Sequence, residues 1–405
     1  MLKNVIIVSD YGYIEGGAGR IAHETALSLK KEGYRVCFFC GVGPVSEDLT
    51  RAGIEVTCLN QTDILHAKSK LKGAMQGIYN KKAKKAFASL LDGFSKEDTV
   101  IHVHAWTKAL SPAIFSVAKK KNFQVLLTVH DYFLVCPNGG LFIYPKREIC
   151  TIKPMSFACV KCNCDARSYS QKLFRVLRQR KQNSVLKKCD NVSYAFISEF
   201  SKREFFKRHK PISEDRQYFL PNMINFNDVR TRVPCENNDT FLFIGGLTEI
   251  KGIRNFCEAV TKAGVKGIAI GQGPLREELE SSYPNIDFVG WKNKDEMLPY
   301  LQKARCLIFS SLLYETLGLT PLETMAHGIP VLVSDLCAAT DYVDKEWHYE
   351  GKNVEALVEK IHWVQSLDLK NISENIFNSF DVENYSAQTY ITNLTAIFKK
   401  MLSRR

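Results

Sequence analysis

Long apolar runs are missing from this 405-residue chain, and no stretch is apolar enough to cross a bilayer. A secretion signal is missing too, because the apolar run that follows Lys3 is short and no small-residue cleavage site comes after it. Zinc-finger, RNP and basic-aromatic motifs are also lacking, which argues against nucleic acid as a partner. These absences predict a cytoplasmic protein that does not span a membrane.

Thirteen cysteines are present, and disulfides are not expected for an odd number without an export signal. Most of them lie in apolar runs and are typical of small core residues. Residues 131–170 are different, because they lack a clear period and hold a cluster of cysteines: Cys150, Cys159, Cys162 and Cys164, with Cys136 nearby. The spacing fits either a structural zinc site of four thiolates or a set of reduced thiols.

The formal net charge is +12, which favours an anionic partner such as a membrane surface, a phosphorylated substrate or nucleic acid. The surplus is concentrated in residues 68–85 and 172–188. Residues 67–91 place lysines among apolar residues at helical spacing. Such a segment is either a helix that lies on an anionic membrane or a solvated basic helix.

Short β-branched runs alternate with amphipathic helical stretches, and the alternation occurs as two series. The first series has strand candidates at 4–9, 35–40, 54–59, 99–105, 124–130 and 192–198. The second has them at 240–246, 267–271, 286–290, 306–311 and 330–335. Alternation of this kind implies parallel sheets, so the chain is predicted to be α/β with two Rossmann-like, doubly wound domains.

The predicted N-terminal domain covers residues 1–222, with 131–170 as an insertion, and the C-terminal domain covers 223–383. The polar stretch 223–239 is the predicted linker. A last helix within 384–405 has an apolar stripe, and the N-terminal domain is the surface we expect it to pack on. Parallel sheets bind ligands at the carboxyl ends of their strands, so the cleft between the domains is the predicted site.

Two features follow strands of the first series. Gly16 and Gly17, in EGGAGR, lie between a strand and a helix, where glycines admit a phosphate and the helix N-terminus favours negative charge; a simple turn is the alternative. His130 ends the strand LLTVH, where it can donate a hydrogen bond to a sugar hydroxyl or a leaving phosphate. A buried, satisfied histidine is the alternative, and His104 is a weaker copy of the pattern.

Two more features follow strands of the second series. Lys251 stands at a predicted helix N-terminus, where a lysine is unfavourable unless an anion is bound; a solvated lysine is the alternative. Glu315 and Glu323 are separated by seven residues, which places one carboxylate on a loop and the other early on a helix beginning near Pro321. Such a carboxylate can bind ribose hydroxyls, and the backbone of 316–319 can hold a diphosphate. Stabilisation of the helix is the alternative role for Glu323.

Taken in order, these motifs resemble the retaining glycosyltransferase family 4, of the glycosyltransferase group 1 type, over almost the whole chain. The matching stretches are GGAGR, TVHD, FISEFSKREF with LPN, FIGGLTEIKG, GQGPLREELE and YETLGLTPLETMAHGIPV. The last is close to the family's signature pair of glutamates. The resemblance implies the GT-B architecture, in which two Rossmann-like domains face a central cleft, and a member that takes part in polysaccharide biosynthesis.

The resemblance also implies roles for single residues. Glu323 would bind the ribose, Glu315 the transferred sugar, Lys251 the donor diphosphate and His130 the donor sugar. The implied catalytic residues are Glu315, His130 and Lys251, and the implied donor-binding residues are Gly16, Gly17, Lys251, Gly271, Gly273, Thr316, Leu317, Gly318, Leu319 and Glu323. The family retains the anomeric configuration, with front-face displacement as the expected route, and works without a bound metal because cations and helix dipoles stabilise the leaving diphosphate.

Two departures from the family pattern concern the donor more than the fold. Gly246 stands where the family has an arginine, so one diphosphate contact is missing or is supplied by another residue. Arg254 and Arg20 are the candidates. After Asp335 the chain departs from the family's Gly-Gly-x-x-Glu run and leaves Asp341 near the expected acidic position.

The expected function is transfer of a sugar from a nucleoside-diphosphate sugar to a carbohydrate or lipid-diphosphate-linked acceptor. One alternative is a non-catalytic sugar-nucleotide-binding or scaffold homologue, which the missing arginine favours. Another is a sugar-nucleotide epimerase of the same architecture, which would lack the block that contains Glu315 and Glu323. The acceptors of the family and the basic segment 67–91 together imply peripheral contact with the inner face of the cell membrane.

Overall fold

The computed structural model describes residues 1–224 and 230–404. Before residue 220 its strands, numbered along the chain, are β1 (Asn4–Tyr11), β2 (Arg35–Val42), β3 (Glu55–Cys58), β4 (Thr99–Val103), β5 (Gln124–Val129), β6 (Phe142–Ile143), β7 (Glu148–Ile149), β8 (Val192–Phe196) and β9 (Gln217–Phe219). The helices there are α1 (Gly16–Lys31), α2 (Glu47–Arg51), α3 (Lys70–Ile78), α4 (Lys81–Leu91), α5 (Ala113–Lys120), α6 (Phe157–Lys161), α7 (Tyr169–Leu186) and α8 (Glu199–Phe206).

The first sheet is parallel and has the strand order β3-β2-β1-β4-β5-β8-β9. Its strands are near-continuous apolar runs because both faces are covered. Within β1, Val5 and Ile7 face one core while Ile6 and Val8 face the other. The order reverses between β1 and β4, so a crevice opens at their carboxyl ends. Strands β6 and β7 form a separate antiparallel hairpin in the cysteine-rich segment.

The second sheet is also parallel and has the order β12-β11-β10-β13-β14-β15. Its strands are β10 (Thr240–Ile244), β11 (Lys266–Ile270), β12 (Ile286–Gly290), β13 (Ala304–Phe309), β14 (Val331–Ser334) and β15 (His348–Tyr349). Its helices, with the last of the chain, are α9 (Ile253–Lys262), α10 (Arg276–Ser282), α11 (Lys294–Leu301), α12 (Leu319–Met325), α13 (Val354–Ser366), α14 (Leu369–Ser379) and α15 (Ala387–Leu402). Two parallel α/β sheets confirm the predicted fold class.

Helix α15 returns to the first sheet. Its apolar stripe, which includes Leu394 and Phe398, is buried in the same core as Val5 and Ile7. The Thr25 hydroxyl on α1 lies 3.4 Å from the Tyr390 hydroxyl on α15. The last described helix of the chain therefore packs on the first sheet.

The predicted helical segment 67–91 is two helices rather than one. Asn80 follows α3 and caps the N-terminus of α4. Its side chain accepts a hydrogen bond from the Ala83 amide at 2.9 Å and donates one to the Ala109 carbonyl at 2.7 Å. An asparagine whose side chain binds backbone groups favours a helix cap over a helix interior. Pattern alone misses this break because the apolar spacing continues through it.

The predicted linker, 223–239, includes residues 225–229, which lie outside the described residues, as does Arg405. The predicted domain boundaries at 222 and 383 therefore stay predictions. All thirteen cysteines lie in the described ranges and are free of disulfides. Among the described helices, none combines the length and the apolar character needed to span a bilayer.

Candidate active site

The carboxyl ends of the two sheets meet through a few direct contacts. The Thr316 hydroxyl, beyond β13, donates to the His130 carbonyl, beyond β5, at 2.8 Å. The Ser198 hydroxyl donates to the Thr316 carbonyl at 2.6 Å. At the mouth of the cleft, Arg147 of the β6–β7 hairpin pairs with Glu249 at 3.1 Å. The strand ends that the sequence marks therefore surround one cleft.

Lys251 and Glu315 form an ion pair in this cleft. The Ser311 hydroxyl also donates to the same Glu315 oxygen, at 3.0 Å. A lysine at a helix N-terminus is unfavourable unless an anion is near. In this structure the anion is the side-chain carboxylate of Glu315. The pair brings together two of the three residues predicted to be catalytic.

A glycine places Lys251 there. Gly252 has φ 73° and caps α9, and a Cβ on it would lie 1.8 Å from the Ser310 carbonyl oxygen. Only glycine lets the turn at 249–251 come so close to the end of β13. The Ser310 hydroxyl then donates to the Gly252 carbonyl at 2.9 Å. The turn is therefore fixed against the strand that leads to Glu315.

Arg20 and Glu323 approach each other across the same cleft, with 3.6 Å between guanidinium and carboxylate. Arg20 is also held by Glu24 at 2.9 Å. Desolvation by the cleft walls raises the pKa of Glu323, although 41% of its side-chain surface stays exposed. Lys294, which sequence reasoning missed, lies close enough to both residues to act on their charges, and desolvation lowers its pKa.

The loop 316–319 connects the two predicted glutamates. Gly318 has φ 79° and precedes α12, which starts without a side-chain cap from the described residues. The first N–H groups of a helix have no partner within the helix, so an acceptor for these groups has to come from outside it. The Tyr342 hydroxyl donates to the carbonyls of Leu317 and Gly318 at 3.0 and 2.8 Å. The loop is therefore fixed through its carbonyls.

The predicted glycines fall into two groups. A Cβ on Gly16 or Gly17 would meet no atom within 4 Å, because both face open space at the start of α1. A Cβ on Gly271 would lie 1.9 Å from the Gly245 oxygen, and one on Gly273 would lie 2.3 Å from the Leu247 oxygen. Gly271 and Gly273 thus have a structural reason to be glycine, which is the packing of two strand-end loops. Their part in donor binding stays a prediction.

His130 belongs to a row of three histidines at the carboxyl ends of β4 and β5. Its Nε2 lies 3.0 Å from Nδ1 of His104, and the ring centroids of His104 and His102 lie 4.1 Å apart with the rings tilted by 47°. Burial lowers the pKa of His130 to about 4 and that of His102 to about 3, and it holds the pKa of His104 well below its usual value. At neutral pH the row is therefore uncharged, and Nδ1 of His130 has no hydrogen-bond partner among the described residues.

A cavity of about 190 Å³ opens beside His130 at the ends of β1, β4 and β5. Asp10 and Asp131 line it, and sequence reasoning missed both. Asp10 is buried and accepts three backbone N–H bonds from Lys108, Ala109 and Leu110, so it fixes the cavity wall. Asp131 keeps an exposed surface at the cleft. The groups around its carboxylate nevertheless desolvate it and raise its pKa to about 6. Only its place directly after His130 hinted at a role.

The residues that the departures from the family pattern single out make different contacts. Arg254 is held by Glu249 at 3.0 Å and Glu278 at 2.8 Å, whereas Arg20 faces the cleft. Asp341 accepts from the Phe200 amide at 2.6 Å and so holds the N-terminus of α8. A carboxylate at a helix N-terminus is favourable. Asp341 therefore joins the two domains.

The cysteine cluster surrounds a buried lysine. Lys172 is 1% exposed, and its ammonium lies 3.1 Å from Sγ of Cys164 and 3.6 Å from Sγ of Cys159. In the ranges that the structure covers, no three His, Cys, Asp or Glu side chains are arranged to hold a metal ion. The zinc site at Cys150, Cys159, Cys162 and Cys164 stays a prediction, which elemental analysis of the purified chain tests.

Comparison with known proteins finds that part of the chain is similar to a known family. Residues 238–366 match the family described as Glycosyl transferases group 1. A glycosyltransferase of uncharacterised specificity from Methanocaldococcus jannaschii, MJ1607, is 25% identical over 42% of this chain and 47% of its own. D-rhamnosyltransferase WbpZ from Pseudomonas aeruginosa is 27% identical over 26% of this chain and 29% of its own. The alignments thus span less than half of either relative.

Solved structures extend the similarity to the whole chain. A glycosyltransferase from Rickettsia africae superposes with a TM-score of 0.69 at 16% identity, covering 100% of both chains. Anabaena Alr3699/HepE, crystallised with UDP and glucose, superposes with a TM-score of 0.66 at 12% identity, covering 98% of this chain and 99% of its own. These similarities establish the GT-B fold. Together with the matched family segment, they support a glycosyltransferase.

Proposed function

We propose that this protein is a retaining glycosyltransferase that moves a sugar from a nucleoside-diphosphate sugar to a carbohydrate or lipid-diphosphate-linked acceptor. The observation that carries the proposal is the Lys251–Glu315 pair, in which residues 64 positions apart meet at the cleft. The matched segment 238–366 contains both residues. Binding of UDP by the Anabaena relative supports a nucleotide in the equivalent cleft.

The donor would lie along the second sheet. Glu323 would accept hydrogen bonds from the ribose hydroxyls, and the uncapped start of α12 would face the diphosphate. Lys251 would exchange part of its contact with Glu315 for the diphosphate, which frees the carboxylate for the sugar. A preorganised cation of this kind stabilises charge that develops on the leaving group. We propose that these groups act without a bound metal.

The acceptor would enter from the first sheet. The cavity beside His130 lies at the ends of β1, β4 and β5 and presents the exposed carboxylate of Asp131. Neutral His130 can hydrogen-bond the donor sugar without adding a positive charge. Similarity to a D-rhamnosyltransferase supports transfer of a sugar. A role in cell-surface polysaccharide, with the enzyme in the cytoplasm at the inner face of the membrane, is part of the same proposal.

A turnover screen tests the proposal. Purified protein is mixed with UDP-, GDP- and dTDP-sugars and an extract of lipid-diphosphate acceptors, and release of nucleoside diphosphate is followed. We expect release from one donor class, lost in Glu323→Gln and kept in Glu355→Gln, a glutamate that pairs with Lys262 on the far side of the domain. Nucleotide binding without release from any donor would favour the non-catalytic alternative.

A further inference from the structure

Two buried polar side chains in the cavity beside His130 have no hydrogen-bond partner among the described residues. They are Ser9, near the carboxyl end of β1, and His104, directly after β4. Ser9 is 1% exposed and His104 is 4% exposed. Both line the cavity, and the atoms without a partner are Oγ of Ser9 and Nε2 of His104. Buried polar groups are nearly always hydrogen-bonded, so the pair indicates a ligand.

Strand pairing places Ser9 and His104 side by side on one face of the first sheet. Val8 of β1 is in register with Val103 of β4, so the residues that follow them are neighbours. Side chains alternate along a strand, and both residues fall on the face that contacts α1 and α15. One small ligand can therefore reach both side chains at once.

A hydroxyl is the ligand group that suits both side chains. The Ser9 hydroxyl can donate and accept. Nδ1 of His104 lies 3.0 Å from Nε2 of His130, so a neutral His104 presents a donor or an acceptor at its own Nε2, according to which ring supplies the proton. A ligand hydroxyl matches either state because it donates and accepts, whereas an ionised carboxylate or phosphate only accepts.

The charges that line the cavity oppose an anionic ligand. Asp10, Glu15 and Asp131 supply three carboxylates, and Lys108 is the one ammonium among the described lining residues. Nζ of Lys108 lies over the Tyr11 ring, 5.4 Å from its centre. Glu15 and Asp131 are exposed, so a ligand that enters from solvent passes them first. Repulsion between like charges therefore keeps phosphate and carboxylate groups out.

The cavity also has the size and the apolar surface for one sugar ring. Its volume of about 190 Å³ is smaller than that of sites for drug-sized ligands. Trp106 and Phe133 line it and provide aromatic surface, on which the C–H face of a sugar ring can pack. Size, hydroxyl-matching groups and charge thus agree on an uncharged sugar.

We propose that Ser9 and His104 determine the acceptor specificity of this protein, each through a hydrogen bond to one hydroxyl of an uncharged sugar ring at the end of the acceptor. The inference deepens the proposed function and rests on it, because it names the group that receives the sugar. Any phosphate of the acceptor would lie outside the cavity. A site whose buried polar groups are satisfied only by hydroxyls discriminates strongly against ligands that lack them.

Binding of methyl glycosides to the full chain, measured by saturation-transfer NMR without any donor, tests the inference. The probes are the methyl glycosides of glucose, galactose and mannose, each compared with the methyl glycoside of its uronic acid. We expect at least one of the neutral glycosides to bind. The matching uronide should bind at least about fivefold more weakly, because its carboxylate meets the carboxylates of the cavity.

Ser9→Ala should weaken this binding about threefold to tenfold, because one hydrogen bond to the sugar is lost. Its free energy of unfolding without sugar should not fall, because the Ser9 hydroxyl bonds to no described residue. Ser373→Ala is the matched control. Its buried hydroxyl donates to the Val233 carbonyl at 3.2 Å, so this variant should lose stability and keep sugar binding. His104→Phe should also weaken binding, and His104→Gln should recover part of it.

Turnover separates the inference from the proposed function. With the donor that supports release of nucleoside diphosphate, Ser9→Ala should raise the KM for the glycoside and leave the KM for the donor unchanged. Sugar binding that Ser9→Ala weakens, without release from any donor, would refute the proposed function and keep the sugar site. No binding of a neutral glycoside, equal binding by wild type and Ser9→Ala, tighter binding of the uronides, a raised donor KM, or a loss of stability in Ser9→Ala as large as in Ser373→Ala would overturn the inference.

Discussion

The guanidinium of Arg20 lies 3.6 Å from the carboxylate of Glu323, on the far side of the cleft. Arg20 comes from α1, directly after the glycine turn, whereas Glu323 comes from α12. The other candidate for the arginine that is missing at Gly246, Arg254, also pairs with two glutamates, but neither is a predicted donor-binding residue. Position therefore favours Arg20 as the residue that contacts the donor diphosphate.

Replacing Arg20 by Ala should raise the KM for the donor about tenfold to hundredfold, because a hydrogen bond between charged groups is lost. Arg254→Ala is the matched control and should leave the donor KM within about twofold. Initial rates over a donor concentration series measure both. An unchanged KM in Arg20→Ala, with a raised KM in Arg254→Ala, would reverse the assignment.

Lys251→Met should lower kcat by about 10²–10³, because it removes a preorganised cation from the leaving group. It also leaves Glu315 without its cationic partner, so Lys251→Arg, which keeps a cation beside Glu315, should retain more of kcat than Lys251→Met. Lys266→Met, which removes an exposed lysine paired with Asp239, is the control. A kcat for Lys251→Met equal to that of the control would show that the ammonium takes no part in the reaction.

Thr316→Val removes the hydrogen bond that joins the donor loop to the His130 carbonyl. We expect the free energy of unfolding to fall by about 1 kcal/mol and kcat/KM to fall as well, because the loop loses its anchor on the first sheet. Denaturant unfolding and initial rates measure the two. Thr392→Val, at an exposed position of α15, should change neither. Equal behaviour of the two variants would contradict the anchor.

The buried histidines make stability depend on acid. The pKa of His102 is about 3 in the folded chain and about 6.5 in an unfolded one, so the unfolded state takes up the proton first. The contribution of neutral, buried His102 to the free energy of unfolding is fully present above pH 6.5 and is lost as the pH falls toward 3. By pH 4 the loss is on the order of 3 kcal/mol. His104 and His130, beside it, act in the same direction.

His102→Gln should therefore lose less stability than the wild type between pH 7 and pH 4. Urea unfolding at a series of pH values measures the difference. Thr128 remains a hydrogen-bond partner for the glutamine, since it lies 2.8 Å from the His102 ring. Parallel pH curves for the two proteins would show that His102 titrates normally in the fold.

The pattern of apolar residues predicted much of the fold, because helices and strands each have a characteristic spacing of apolar residues along the sequence. Each predicted strand start in the second series lies within two residues of a strand in the structure, from β10 to β14. The pattern failed at Asn80, where a side-chain cap rather than the apolar period decides the end of a helix. It also gave no sign of the β6–β7 hairpin, whose strands are too short to show a period.

The two α/β series and the chemical groups that follow their strands could be predicted from the sequence, because the spacing of apolar residues and the residue type are local properties. Which of these groups contact one another depends on tertiary packing. Lys251 pairs with Glu315, and Asp341 caps α8. These contacts join residues far apart in the chain, and their distances depend on how two sheets pack, which no spacing along a sequence records.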